Sequence, residues 1–359
     1  PEGVIRFTVG QPDFITPESV REVAINELRK GNTSYTRPAG DPALCESLSV
    51  WLGDRFNINV GWEDVVITPG TKQALLYALM GLGNPGDEVL LLAPAWPTYD
   101  GQIRLVGMEP IHVPVKRDDF HPDFAALEAA ITDKTKFIMN NSPNNPTGAV
   151  YTPEETQKLV NLAVKHDLWI IDDMIYATMV WEDYPFTGTA SLPGGAERTL
   201  SVGGWGKAWA MTGWRLGFIA GAPEVMKAIH LCQTSAATHV PTFLMPAAQY
   251  ALEHADEERH EMGESFRERR EIIFEGLSAI PQLKVKKPEG AFYILIDVSQ
   301  TGMDDLEFAT RALEEAEVML IPGSLMQGGE GLCRISYATS IENINEGCRR
   351  LKEWLKNLG

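Results

Sequence analysis

Short apolar runs alternate with longer amphipathic stretches between about residues 65 and 220 of this chain. The runs have the length and β-branched content of buried strands, whereas 72–82 and 153–166 place hydrophobic residues at helical spacing. A strand followed by a helix, repeated several times, predicts an α/β fold with a mostly parallel sheet that helices cover on both faces. The predicted strands are 65–68, 88–93, 111–115, 136–140, 169–172, 199–202 and 217–220.

The pattern changes after about residue 247, where longer charged stretches separate shorter apolar runs. It predicts a charged helix at 251–277, short strands at 283–286 and 291–297, a helix at 304–316, strands at 318–321 and 333–337, and a final helix from 341. We therefore predict two domains. A large α/β domain covers 36–245, and a smaller α+β domain combines 1–35 with 246–359.

Composition narrows the class of protein. The 359 residues are 44% hydrophobic and 22% charged, which is typical of a globular chain. The net charge of −18, from 31 basic and 49 acidic residues, argues against nucleic-acid or anionic-membrane partners. Four scattered cysteines suit a reducing compartment, and the chain has neither a signal-peptide pattern nor an apolar run of 18 residues. We expect a cytoplasmic protein without a metal site.

One glycine pattern, GLGNPG at 81–86, imitates a dinucleotide-binding fingerprint. A true fingerprint follows a strand and opens a helix. This pattern closes a predicted helix, precedes a strand and contains a proline, so it predicts a turn. A nicotinamide-dependent enzyme is therefore not expected.

The segment GWGKAWAMTGWRLG, residues 204–217, contains the most informative side chain of the sequence. Lys207 follows a predicted buried strand, has small neighbours and precedes Arg215 by eight residues. A partly dry site lowers the pKa of a lysine and leaves its amine nucleophilic, and an arginine binds phosphate oxygens in pairs. The pair indicates a Schiff-base lysine beside pyridoxal 5'-phosphate (PLP). The alternative is a surface lysine with an arginine in a salt bridge.

Five further segments, in this order, accompany Lys207: GQPDF at 10–14, YTRPAG at 35–40, NNPTG at 144–148, DMIY at 173–176 and RISYA at 334–338. With them the chain resembles the class I/II aminotransferases of the fold-type I PLP enzymes along nearly its whole length. The resemblance implies a seven-stranded, mostly parallel sheet with flanking helices, a smaller α+β domain, and PLP as the cofactor.

The resemblance also implies the catalytic residues. Lys207 would form the resting Schiff base and then move a proton as general base and acid. Asp173 would keep the pyridine nitrogen protonated, with its neighbour Asp172 facing the other way. Asn145 and Tyr176 would bind the phenolic oxygen. Each has an ordinary alternative: a turn-capping aspartate, an asparagine in a turn, and a core tyrosine.

The remaining cofactor contacts are implied in the same way. Gly70, Thr71, Lys72 and Arg215 would bind the phosphate, although Lys72 could be a solvated residue of a first helical turn. Trp96 would stack on the ring, unless it is an ordinary buried tryptophan. Gly204 and Gly206 replace serines common in the family, which implies fewer phosphate contacts.

Two further contacts complete the implied site. Arg334, with the Gly10 amide, would hold the substrate carboxylate. Tyr35 would reach the phosphate of a neighbouring subunit, which implies a homodimer with shared active sites.

We therefore expect transfer of an amino group between an L-amino acid and a 2-oxo acid, with 2-oxoglutarate as acceptor and aspartate or an aromatic amino acid as donor. Two alternatives remain: a PLP-dependent β-lyase on the same fold, and a non-catalytic amino-acid-sensing domain. For the substrate side chain, Arg37 could meet a distal carboxylate or be solvated. Phe14, Trp181 and Trp209 could line an aromatic pocket or lie in the core.

Overall fold

The computed structural model of the chain describes residues 3–181 and 186–358. Its strands are β1 (Ile5–Arg6), β2 (Val65–Pro69), β3 (Glu88–Ala93), β4 (Glu109–Pro114), β5 (Thr135–Asn141), β6 (Trp169–Asp173), β7 (Thr199–Gly204), β8 (Leu216–Ala220), β9 (Lys284–Val285), β10 (Tyr293–Asp297), β11 (Val318–Met319), β12 (Ile321–Pro322) and β13 (Leu332–Ser336). Its α-helices are α1 (Glu18–Arg29), α2 (Pro42–Phe56), α3 (Thr71–Leu82), α4 (Pro97–Leu105), α5 (Phe124–Ala129), α6 (Pro153–Lys165), α7 (Trp205–Ala208), α8 (Pro223–Ala236), α9 (Met245–His254), α10 (Asp256–Ser278), α11 (Asp305–Ala316) and α12 (Ile341–Leu358).

The large sheet has seven strands in the order β2-β8-β7-β6-β5-β3-β4. In the described part of the chain, β8 runs antiparallel to both of its neighbours, whereas the other strands share one direction. The predicted mostly parallel, seven-stranded sheet is confirmed. The carboxyl ends of the parallel strands therefore meet at one edge, together with the amino end of β8.

Alternating side chains of these strands enter different cores, because successive residues of a strand point to opposite faces. Val89 and Leu91 pack with α3 and α8, whereas Leu90 and Leu92 pack with α6. Both faces of the sheet are thus buried, which is why the predicted strands are almost continuously apolar.

Local signals fix where several helices begin. In α6 the Thr152 side chain accepts from the Glu155 amide and the Glu155 side chain accepts from the Thr152 amide, which is a complete capping box. Asp41 caps α2 ahead of a proline at the first helical position. In contrast, α3 begins after Gly70 without a side-chain cap. The first amides of α3 are therefore free of side-chain acceptors at the sheet edge.

A further core, called the smaller core because it is smaller than the cores of the large sheet taken together, lies around a four-stranded antiparallel sheet in the order β12-β13-β10-β9. The helices α10, α11 and α12 pack around this core. The amino-terminal strand β1 pairs in parallel with β11, so the first residues of the described chain lie beside this part of the molecule. The division at residues 36 and 246 stays a prediction.

Two element predictions are wrong in detail. The helix predicted at 251–277 is interrupted at Ala255, whose backbone leaves the helical region (φ −109°, ψ 33°) and whose carbonyl accepts from Trp209 Nε1 at 3.0 Å. The interruption lets α9 pack against α1 and α2 while α10 packs against α12. The strand predicted at 318–321 is two strands, because Val318–Met319 pairs with β1 and Ile321–Pro322 pairs with β13.

Other features agree with the sequence. The 81–86 glycine pattern ends α3 and precedes β3, as a turn. The four cysteines are free thiols. Over 3–181 and 186–358, none of the helices combines the length and apolarity that a bilayer crossing requires. The cytoplasmic location stays a prediction.

Candidate active site

A cavity of about 410 Å³ lies at the edge of the large sheet where the parallel strands end, between that sheet and the smaller core. It brings together every predicted site residue except Tyr35: Gly10, Gly70, Thr71, Lys72, Trp96, Asn145, Asp173, Tyr176, Lys207, Arg215 and Arg334. Segments far apart in sequence therefore form one site.

Lys207 enters the cavity from α7, the short helix that follows β7. Its Nζ donates a hydrogen bond to the Gly10 carbonyl. Desolvation lowers the pKa of Lys207 to about 8; the positive charges of Arg215 and Arg334 act in the same direction, and Asp173 opposes them. The amine is thus far easier to deprotonate than an exposed lysine.

Asp173 is the last residue of β6 and is almost completely buried. Burial raises the pKa of its carboxyl to about 6, against the hydrogen bonds that it accepts from Tyr99 Oη (2.7 Å) and the Ile175 amide (3.1 Å). Asp172 faces away, as predicted, and accepts from Thr189 and Asn140. At neutral pH the site thus contains a buried, ionised carboxylate with fixed geometry.

An anion-binding corner lies at the amino end of α3. Gly70 has a left-handed backbone (φ 83°), and a Cβ atom there would lie 2.5 Å from Arg215 Nη2. Arg215 also has a left-handed backbone (φ 55°) and places its guanidinium directly over Gly70. Helix amides, the Thr71 side chain and a guanidinium together suit a phosphate group. A Cβ atom at Gly204 would lie 2.8 Å from Thr71 Oγ1, so this corner leaves little room for the serine common in the family.

On the opposite side, the smaller sheet contributes Arg334 from β13. Its Nη1 donates to Asn145 Oδ1 at 3.0 Å and its Nη2 donates to the Thr8 carbonyl at 3.3 Å, whereas its buried Nε has no hydrogen-bond partner among the described residues. The backbone of Asn145 is held in turn, because its backbone N–H donates to Asn141 Oδ1 at 2.9 Å. A buried cation with an unused donor suits a carboxylate ligand.

Two aromatic contacts complete the lining. Trp96 is half-buried after β3, and Lys72 Nζ lies 4.9 Å from the centre of a Trp96 ring. Tyr176 is buried, with its hydroxyl 2.9 Å from the hydroxyl of Tyr293. The cavity thus combines a flat aromatic surface with the basic side chains of Lys72, Arg215 and Arg334 in addition to Lys207.

The residues outside the cavity also have clear positions. Tyr35 is 90% exposed and packs edge-on against His239. Arg37 lies over the Trp62 ring, 4.8 Å from its centre. Trp181 and Trp209 are buried in the cores, and Phe14 packs against Phe266, so these three side chains do not form the cavity lining within the described residues.

Sequence reasoning missed several polar residues of the site, among them Tyr99, Asn141 and Tyr293. Asn141 could have been found, because it is the last residue of β5 and sits beside the NNPTG segment. Tyr99 lies three residues beyond Trp96 on α4, where it resembles a core aromatic. Tyr293 follows Phe292 and begins an apolar strand, and the local sequence gives no sign that its hydroxyl makes a polar contact. Across 3–181 and 186–358, no group of three or more His, Cys, Asp or Glu side chains is arranged to hold a metal ion.

Known proteins share this architecture. The family model "Aminotransferase class I and II" matches residues 2–351. The aspartate/prephenate aminotransferase of Thermus thermophilus is 39% identical over 97% of this chain and 90% of that protein. Aromatic-amino-acid aminotransferase 2 of Thermococcus litoralis is 36% identical over 99% of this chain and 92% of that protein. The crystal structure of an aromatic aminotransferase from Pyrococcus horikoshii OT3 superposes with a TM-score of 0.96 at 36% identity, covering 99% and 97% of the two chains.

The parallel sheet, the cavity at its edge and these similarities define a fold-type I aminotransferase. The chain belongs to the class I and II aminotransferases, whose members depend on PLP. The cavity fits that cofactor, since it offers a helix amino terminus with an overlying guanidinium, a tryptophan face and a buried carboxylate beside the lysine amine.

Proposed function

We propose that the enzyme transfers the amino group of an L-amino acid to a 2-oxo acid. The observation that supports this most directly is the position of Lys207. Its amine, with a pKa of about 8, enters a cavity that Asp173 and Arg334 also line. An amine that deprotonates easily, a buried carboxylate and a carboxylate-binding cation are what amino-acid chemistry on this cofactor requires.

The positions of the cavity side chains support a role for each of them. PLP, when bound, would supply the electron sink that makes the substrate Cα–H bond acidic. Gly70, Thr71, Lys72 and Arg215 would hold its phosphate, and Trp96 would cover its ring. Asn145 and Tyr176 would donate to its phenolic oxygen.

Three residues would act on the substrate. Arg334 and the Gly10 amide would hold its carboxylate, so that the Cα–H bond stands across the ring. Lys207 Nζ would remove the proton at Cα and return it as general base and acid. Asp173 would hold the proton on the pyridine nitrogen through its negative charge.

For the substrates we propose 2-oxoglutarate as acceptor and aspartate or an aromatic amino acid as donor. The names of the relatives support both donors, since they include aspartate/prephenate and aromatic aminotransferases. A panel of amino donors assayed with 2-oxoglutarate tests this choice. Release of ammonia and pyruvate without a 2-oxo acceptor would identify a β-lyase instead.

We also propose that the enzyme acts as a homodimer in which Tyr35 completes the phosphate site of the partner. The support is the position of Tyr35, whose ring is exposed outside the cavity of its own chain. An exposed aromatic side chain at a closed two-fold contact is a common arrangement.

The first prediction tests the nucleophile. Borohydride reduction of the PLP-loaded enzyme should attach the cofactor to Lys207, found by mass spectrometry of peptides. Lys207→Ala should bind PLP without a covalent bond and lose nearly all turnover. Lys227→Ala, which alters a lysine of α8 outside the cavity lining, is the matched control and should keep wild-type labelling. An unlabelled Lys207 in an enzyme that stays fully active after reduction would exclude the proposed function.

A further inference from the structure

A second phenol enters the site beside Tyr176. Tyr293 lies on β10 with its ring fully buried and its hydroxyl 2.9 Å from the hydroxyl of Tyr176. Tyr293 pairs with Ser336 and Leu295 pairs with Arg334, so Tyr293 and Arg334 are diagonal neighbours on one face of the smaller sheet. The guanidinium carbon of Arg334 lies 4.7 Å from the centre of the Tyr293 ring.

The number of protons decides the direction of the hydrogen bond between the two phenols. Each phenol has one proton, so only one of the hydroxyls can donate across the 2.9 Å separation. When Tyr176 donates into the cavity, its proton is not available to Tyr293. Tyr293 is then the donor and Tyr176 the acceptor.

We propose that Tyr293 is a positioning residue of the reaction: it donates to Tyr176 Oη, directs the Tyr176 O–H toward the phenolic oxygen of the cofactor, and strengthens that donor. This inference rests on the proposed function. Hydrogen bonds in a chain polarise one another, most strongly where water is excluded, and both tyrosines are buried. The Arg334 cation over the Tyr293 ring draws electron density from the phenol, which makes its hydroxyl a better donor.

The absence of a side chain at residue 10 supports this assignment. A Cβ atom on Gly10 would lie 3.2 Å from the Tyr293 hydroxyl oxygen, closer than such contacts normally are. The GQPDF segment therefore leaves the Tyr293 hydroxyl the space it occupies. Gly10 and Tyr293 come from different parts of the chain and meet at this point of the cavity.

The experiment is a pH titration of the cofactor absorbance, which follows the proton on the nitrogen that joins Lys207 to the cofactor. In Tyr293→Phe the midpoint should rise by roughly half a pH unit, because a weaker donor at the phenolic oxygen stabilises the deprotonated form less. The matched control is Tyr337→Phe. It removes a phenol from the same core that donates to the Ala291 carbonyl outside the cavity lining, and its midpoint should stay at the wild-type value.

Two further variants test whether Tyr293 acts on the cofactor through Tyr176. Tyr293→Phe should add no shift in a Tyr176→Phe background, since Tyr293 acts only through Tyr176. Gly10→Ala should displace the Tyr293 hydroxyl without removing it and should raise the midpoint as well. If Tyr293→Phe does not fold, Gly10→Ala against Tyr337→Phe decides the question.

Results that contradict the role of Tyr293 differ from results that contradict the proposed function. An unshifted Tyr293→Phe, an equal shift in Tyr337→Phe, or additive shifts in the double variant would overturn the role of Tyr293 while leaving the proposed function intact. A wild-type enzyme that shows no pH-dependent absorbance and no borohydride labelling of Lys207 would instead overturn the proposed function, and this inference with it.

Discussion

At the scale of single residues, Asp173 shows how its surroundings define a role. Both carboxylate oxygens are occupied, one by the Tyr99 hydroxyl and the other by the Ile175 amide, so the carboxylate has one orientation. Burial raises its pKa to about 6, which still leaves it ionised at neutral pH. A charge fixed in this way would hold a proton on a neighbouring ring nitrogen without having to reorganise during the reaction.

We predict that Asp173→Asn lowers turnover by about 100-fold or more while the cofactor stays bound, because an electrostatic interaction used in the transition state is lost. Steady-state kinetics and absorbance of the bound cofactor measure both effects. Asp172→Asn is the matched control. This neighbour faces Thr189 and Asn140, so its loss should lower stability and leave turnover per folded molecule nearly unchanged. A decrease in turnover of less than about threefold in Asp173→Asn would show that Asp173 has only a structural role.

The lowered pKa of Lys207 predicts the pH dependence of cofactor loading. The ammonium form is not nucleophilic, so the rate of covalent PLP binding to the cofactor-free enzyme should rise with pH through about 8 and level off above it. Stopped-flow absorbance measures this rate. Lys207→Ala should show no covalent phase at any pH, and a rate that still rises at pH 10 and above would show an ordinary exposed lysine.

Much of the site could be predicted because its residues lie in short segments at strand ends. Asp173 ends β6, Asn145 follows β5, and Lys207 follows β7. Tyr99 and Tyr293 could not be predicted, because their functions depend on contacts across 74 and 117 residues of sequence. In the sequence, a tyrosine among apolar residues cannot be told from a core residue, because the hydrogen-bond partner of its hydroxyl is not visible there.

At the scale of elements, a buried charge cluster around His121 connects three parts of the chain. His121 follows β4 and contacts Glu155 of α6 at 2.7 Å and Glu289, between β9 and β10, at 3.1 Å. Lys286 contacts Glu289 at 3.0 Å, and Glu289 also accepts from the Val150 amide. Burial opposes the charge on His121, but the hydrogen bonds to both glutamates outweigh it and raise its pKa to about 9.

This shift predicts an alkaline loss of stability. The folded-state pKa of His121 lies above the ordinary value of 6.5, so its contribution is complete below about pH 6.5 and is lost as the pH rises through about 9. The difference in unfolding free energy between wild type and His121→Gln should therefore shrink by on the order of 2–3 kcal/mol over that range. Urea unfolding at several pH values measures it. A pH-independent difference for His121→Gln would mean that His121 is not charged in the folded protein.

The elements themselves were predictable to within a few residues wherever both faces of a strand are buried, as for β3 and β6. The break between α9 and α10 was not, because Ala is a strong helix former. The backbone at Ala255 is determined by the two cores that the flanking helices enter and by the Trp209 side chain. Local propensity carries no information about such a contact.

At the scale of the whole molecule, the proposed homodimer predicts complementation between inactive variants. Mixed under subunit exchange, Tyr35→Ala and Lys207→Ala should form hybrids with one intact site and one doubly altered site. Equal mixing should restore about a quarter of wild-type activity, measured at limiting PLP, since half of the dimers are hybrids with one working site each.

The control mixture combines Asp173→Asn with Lys207→Ala, whose altered residues line the same cavity of one chain and cannot complement. Subunit exchange is shown independently with differently tagged chains. Exchange without recovered activity would place Tyr35 and Lys207 of a working site on one chain.

The cavity lies between the large sheet and the smaller core, and this position determines how the enzyme loses activity on heating. Arg334 lies on β13 of the smaller sheet and Lys207 follows β7 of the large sheet, so an amino acid bound between them would connect the two parts of the molecule. Ligand binding protects whatever must stay folded for the ligand to remain bound, and here that includes both cores. Heating that unfolds only the smaller core would therefore abolish activity while most of the helix and sheet content persists. A saturating substrate would raise the temperature at which this inactivation occurs.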